Sequence, residues 1–222
     1  MKRARQASFE FKSWGGARRG AGRKRNRALE SVEHRARPKH VGRHPVHVTL
    51  RIERGLESLR KRRTHRIVRD ALVAGCGRHG LRIVHYSAMT NHVHLVCEAP
   101  NERALSCGMK GLCVRIARGL NGLWGRTGRV IADRYHARAL KSPREVRNAL
   151  HYLLHNARHH GIHFAGPDPC SSGVWFDGWD RVVTCGSKTK GSPLARAHTW
   201  LLSVGWKRHG VIALAPLARR HV

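Results

Sequence analysis

From Pro45 the chain settles into a regular pattern of apolar and polar positions. VHVTLRI (46–52) alternates the two, as a strand with one buried face does. LESLRKRRTHRIVRDALVAG (56–75) changes period. Leu59, Ile67, Val68, Leu72 and Val73 recur at broadly helical spacing among basic residues, and Gly75, Gly77 and Gly80 end the run. LRIVHYSAM (81–89) and HVHLVCEA (92–99) are apolar runs joined by Thr90-Asn91, a link short enough for a hairpin. A second helix is predicted from Asn101, which caps it, with an interruption near Gly108 to Gly111. RVIADRYHARAL (129–140) returns as a strand. Ser142-Pro143-Arg144-Glu145 then reads as a helix start, with Ser142 at the cap, Pro143 at the first helical position and Glu145 at the third. This third helix is expected over 143–160, ended by Gly161. The order βαββαβ predicts an α+β fold, a ferredoxin-like antiparallel sheet with one further helix appended.

The flanks differ from this middle. Residues 1–44 hold fourteen Lys or Arg against three Glu and almost nothing apolar through GGARRGAGRKRNR, so they read as a basic flexible arm. Glycines there let Arg18, Arg19, Arg23, Lys24 and Arg25 follow phosphates or enter a minor groove. Residues 45–163 form the expected domain. Residues 164–222 read as a partly ordered extension with turn clusters and one helical candidate, TWLLSVGW.

Charge decides the class of partner. The 222 residues carry 44 Lys and Arg against 13 Asp and Glu, a formal +31, and such a chain needs a polyanion as counter-charge. Nucleic acid is the expected partner, and the 41% apolar content excludes a wholly disordered chain. No run approaches the roughly 20 apolar residues of a membrane span, and no apolar segment follows the N-terminal charges. A cytoplasmic protein with no membrane partner is expected. The six cysteines never form a CxxC pair, which leaves a zinc ribbon or thioredoxin motif unsupported.

The candidate chemistry lies in two places. His92-Val93-His94 sits in a predicted strand, where residues two apart share a face, so both imidazoles can reach one divalent ion. Tyr152 and Asn156 stand four apart on the third helix and share a face, as a nucleophile and an oxygen ligand would. His155 competes with Asn156 as third ligand, being a better donor for zinc or manganese. Glu98 shares the histidines' strand face but starts about 13 Å from His94. Tyr135 is a rival nucleophile, Tyr86 reads as packing, and the tryptophans are candidate stacking platforms. Arg60, Lys61, Arg62, Arg63 and Arg66 would extend a basic groove from the first helix.

MTNHVHLV, DRYHARAL and HYLLHNARHHG, with GGARRGAGRK and HPVHVTLR upstream, resemble the REP-associated tyrosine transposases, a branch of the HUH single-strand transposase family. The resemblance spans roughly residues 12–163. It implies a ferredoxin-like nuclease in which His92, His94 and Asn156 hold Mg²⁺ or Mn²⁺ while Tyr152, on the appended catalytic helix, attacks a phosphodiester of single-stranded or hairpin DNA. Cutting and strand transfer at palindromic repeats would pass through a covalent 5′-phosphotyrosine. One departure is visible: the family commonly continues Asn-Pro-Val, whereas this chain has Asn156-Ala157-Arg158. Two alternatives remain at this level, a non-catalytic nucleic-acid-binding protein and a metal-independent RNA endonuclease on the same scaffold. The sequence leaves open whether the chain acts as monomer or homodimer.

Overall fold

The computed structural model describes residues 39–183 and 192–214. In chain order it contains β1 (Val46–Arg51), α1 (Arg62–Gly75), β2 (Arg82–Ala88), β3 (His92–Glu98), α2 (Glu102–Leu123), β4 (His136–Ala139), α3 (Pro143–His159) and a single-turn α4 (Trp200–Ser203). The strands form one sheet in the order β2-β3-β1-β4, and every neighbouring pair is antiparallel. The expected α+β fold is the observed one.

Alternation along the strands gives the sheet two dissimilar faces. Val46, Val48 and Leu50 of β1 and Val93, Leu95 and Cys97 of β3 pack under α1 and α2, where Val68, Leu72, Met109, Leu112 and Ile116 close the first core. The polar positions of the same strands, among them His47, Thr49, His92 and His94, turn to the side covered by α3. A bulge between Ile83 and His85 lets Ile83 and Tyr86, three apart, both enter the first core while Val84 enters the second.

Several boundaries correct the sequence reading. The first helix starts at Arg62 rather than 56, because residues 56–61 form a loop whose Leu59 is buried as a plug. The Thr64 hydroxyl ties that loop down by donating to the Ser58 carbonyl at 2.6 Å. The strand expected over 129–140 pairs only from His136 to Ala139, apart from one bridge between Ile52 and Ile131. The second helix runs without interruption from Glu102 to Leu123, with Asn101 Oδ1 accepting from the Ala104 N–H at 2.9 Å. Gly108 is not a breaker. A Cβ on it would lie 2.4 Å from the Leu81 Cβ, so the glycine is where helix and chain touch. At α3 the predicted start is observed: Ser142 Oγ accepts from the Glu145 N–H, and the Glu145 carboxylate accepts from the Lys141 N–H.

The stretch after α3 completes the domain. Phe176, Trp179, Leu202, Trp206, Ile212 and Leu214 join Val146, Leu150 and Leu153 of α3 in a second core on the outer face of the sheet. Three polar ties hold it there. Arg60 forms a two-toothed ion pair with Asp168 at 2.8 Å, the Ala88 N–H donates to the Cys170 carbonyl, and buried Glu98 accepts from the backbone N–H groups of His198 and Thr199.

Candidate active site

The site grows from strand register. Thr49 of β1 stands directly across from His94 of β3, and His47 lies two residues along the same face of β1. Cross-strand neighbours of this kind bring side chains into contact. His94 Nδ1 lies 3.1 Å from Thr49 Oγ1 and 3.2 Å from His47 Nε2. His92 turns its Nδ1 to Asn91 Oδ1 at 2.8 Å, and its ring meets His94 edge to face with centroids 4.7 Å apart.

The helix α3 carries Tyr152 over this pair. Its ring centroid lies 5.3 Å from that of His94 and 6.1 Å from that of His47. His159, two turns on, stacks against it at 6.2 Å. Tyr152 is 41% exposed, on the histidine side of the sheet rather than in the apolar interior. The phenol is thus open to a substrate arriving from solvent. One turn further along α3, Asn156 is fully enclosed.

Two groups here are buried without a hydrogen-bond partner: the Nε2 of His94 and both polar atoms of the Asn156 amide. Buried polar atoms are nearly always paired, and leaving one bare costs about 1–3 kcal/mol, so atoms of this kind call for a water or an ion as partner. His94 has its Nδ1 engaged by His47 and Thr49, which leaves Nε2 as the nitrogen able to bind an ion. Burial, reinforced by the neighbouring imidazoles, pushes His94 down to about 3. Burial, with His136 and Arg138 nearby, pushes His47 down to about 4, and His92 is lowered mainly by burial. All three are neutral bases at pH 7, the form in which imidazole donates a lone pair.

Among the described residues no three His, Cys, Asp or Glu side chains are grouped as a metal centre needs. A cation held here would rest on two imidazoles and one amide. That donor set suits a weakly held ion whose remaining positions are filled by water and phosphate oxygens. The residues therefore fit the divalent ion that the family resemblance implies.

The other candidates lie elsewhere. His155 faces away from the site, with its ring nitrogens 2.9 and 3.0 Å from the carbonyls of His151 and Ala213, which removes it as a rival ligand. Glu98 is spent on the extension. Tyr135 packs against the first core, and Tyr86 is buried in it with its hydroxyl 3.2 Å from His65. Arg60 lies ahead of α1 and is held by Asp168, while Lys61 and Arg63 pair with Glu57, so the basic groove expected from that helix is partly neutralised. Arg18, Arg19, Arg23, Lys24 and Arg25 lie outside the described residues. His47, Thr49 and His159 escaped the sequence reading. The signal for the first two was present in the polar side of VHVTLRI, but only the pairing of β1 with β3 joins that side to His94.

No protein-family model and no curated protein matches the chain. Among solved structures, a REP-associated tyrosine transposase bound to a REP hairpin is similar over 64% of this chain and 82% of its own, with a TM-score of 0.51 and 15% identity. A candidate transposase from Deinococcus radiodurans R1 matches 62% of this chain and all of its own, with a TM-score of 0.39 and 15% identity. The likeness to REP-associated tyrosine transposases read from the sequence therefore extends to the fold.

Proposed function

We propose that the chain is a metal-dependent, transposase-like endonuclease and strand transferase acting on single-stranded or hairpin DNA. The observation that carries this reading is the meeting of an exposed Tyr152 with the buried, partnerless Nε2 of His94 on the polar face of the sheet. The transposase whose fold this chain shares is bound to a REP hairpin, which favours palindromic repeat DNA as substrate.

The chemistry follows from the groups present. A free tyrosine has a pKa near about 10, so its oxygen is a weak nucleophile at neutral pH without a cation beside it. His92, His94 and Asn156 would hold Mg²⁺ or Mn²⁺. When bound, the ion would neutralise the scissile phosphate, orient it for in-line attack and favour the phenolate. Tyr152 gives up its proton and forms a bond to phosphorus, while the P–O3′ bond breaks and the departing oxygen takes up a proton as a 3′-hydroxyl. The 5′-phosphate stays on Tyr152. A phosphotyrosine is itself an activated diester, so a second 3′-hydroxyl reverses the step and joins a new strand. His47 and Thr49 hold the His94 ring in place from behind.

Incubation of the protein with an end-labelled hairpin bearing single-stranded flanks tests this reading. Cleavage is expected with Mn²⁺, and its loss is expected with EDTA or in His94→Ala. Cleavage that persists in EDTA would favour a metal-independent nuclease, and binding without any cleavage would favour a non-catalytic module.

A further inference from the structure

Among the described residues one tryptophan packs in neither core. Trp179 and Trp206 are buried, whereas Trp200 of α4 is 49% exposed and lines an open cavity of about 650 Å³ together with Arg43, His44, Lys141 and Thr199. A buried indole would explain itself as packing. This one is backed by the chain and left half exposed. The preceding residues are clamped by Glu98, whose carboxylate accepts from the N–H groups of His198 and Thr199 and from the Thr199 hydroxyl at 2.7–3.0 Å. Gly205 backs the ring so closely that a Cβ there would lie 2.8 Å from Trp200 Cζ3. The Arg208 guanidinium lies 5.0 Å from the ring centre.

Cations surround the cavity mouth. Arg43 and Lys141 are both exposed, and neither pairs with a carboxylate among the described residues. An aromatic face beside cations that no carboxylate neutralises among the described residues is an arrangement that takes an unpaired nucleotide, base on ring and phosphate on cation. Glu98, which clamps the residues before Trp200, lies on the His94 face of β3 about 13 Å along the strand from it, so the cavity stands apart from the proposed active site.

We infer that Trp200, Arg43 and Lys141 form a subsite for an unpaired nucleotide flanking the hairpin, with the base stacked on Trp200. This rests on the reading of the chain as a single-strand DNA enzyme, yet it is measured by binding rather than cleavage. The test compares dissociation constants for two labelled hairpins, one with a single-stranded flank and one without, at fixed salt with the full chain. Trp200→Ala is expected to weaken the flanked hairpin at least about 5-fold and to leave the blunt one unchanged. Trp200→Phe should keep most of the affinity. The surface double variant Arg43→Ala/Lys141→Ala, which spares the apolar core, should reproduce the flank-specific loss.

Equal binding of the flanked hairpin by wild type and Trp200→Ala would overturn the subsite, as would equal losses on both hairpins. Because Tyr152→Phe abolishes the proposed cleavage without touching this cavity, a flank effect that survives in it separates the subsite from the catalytic reading.

Discussion

Asn156 is enclosed on α3 with neither amide atom bonded, a cost that a folded protein accepts where the group meets something else. If that something is the proposed cation, Asn156→Leu should leave metal-free stability equal or raised by about 1–3 kcal/mol in urea unfolding. The wild type is expected to gain melting temperature with Mn²⁺, and the same variant to lose that gain. A loss of metal-free stability would instead make the amide a structural group. The imidazoles make a second claim. His47 and His94 are held well below the 6.5 of a free histidine, so the unfolded chain binds more protons than the folded one between that value and about 4. Stability is fully present above about pH 6.5 and falls as the pH drops through this window. Melting temperatures measured from pH 7 to pH 4 should follow that slope, less steeply in His47→Gln. His92 and His94 were legible in the sequence because strand alternation alone puts them on one face. Their support by His47 was not, since nothing local to VHVTLRI says which strand lies beside it.

Among the elements, α2 shows where local rules misled. Two glycines three residues apart suggested a break, yet the helix is continuous because Gly108 serves tertiary contact with Leu81 rather than backbone freedom. Gly108→Ala, favourable in an isolated helix, is expected to destabilise the protein by about 1–3 kcal/mol in urea unfolding, since the added methyl meets packed side chain. Gly111→Ala has open space before it and should be neutral or slightly stabilising. The start of α3 was legible because a capping box is written in consecutive residues. The stretch after α3 was not, since Trp179 and Trp206 are buried only by partners distant in the chain. One of its three polar ties is Glu98. Glu98→Ala would strip the acceptor from the His198 and Thr199 N–H groups, and faster proteolysis around residues 192–204, with the sheet intact by circular dichroism, is the expected result.

For the whole molecule, the sheet divides the labour. One face is an apolar core under α1 and α2, and the other carries both a second apolar core and the polar cluster of His47, Thr49, His92 and His94 beside Tyr152. The +31 charge belongs to this level, since it sets affinity for any polyanion and says nothing of chemistry. Binding of single-stranded DNA should fall roughly 10³-fold or more between about 50 mM and about 200 mM salt if six or more phosphates are contacted. A flat salt response would remove nucleic acid as the partner. Charge, pattern and the HVH run made the fold and its polar face legible, whereas the orphaned atoms that favour a ligand emerge only once strands and helix meet.

The most direct measurement is peptide mapping of the protein recovered from a reaction with hairpin DNA and Mn²⁺ under denaturing conditions. A nucleotide attached through a 5′-phosphate to the peptide containing Tyr152, absent with EDTA and absent from Tyr152→Phe, is the predicted result. An adduct on another residue, or cleaved DNA with no adduct under conditions that trap phosphotyrosine, would contradict it.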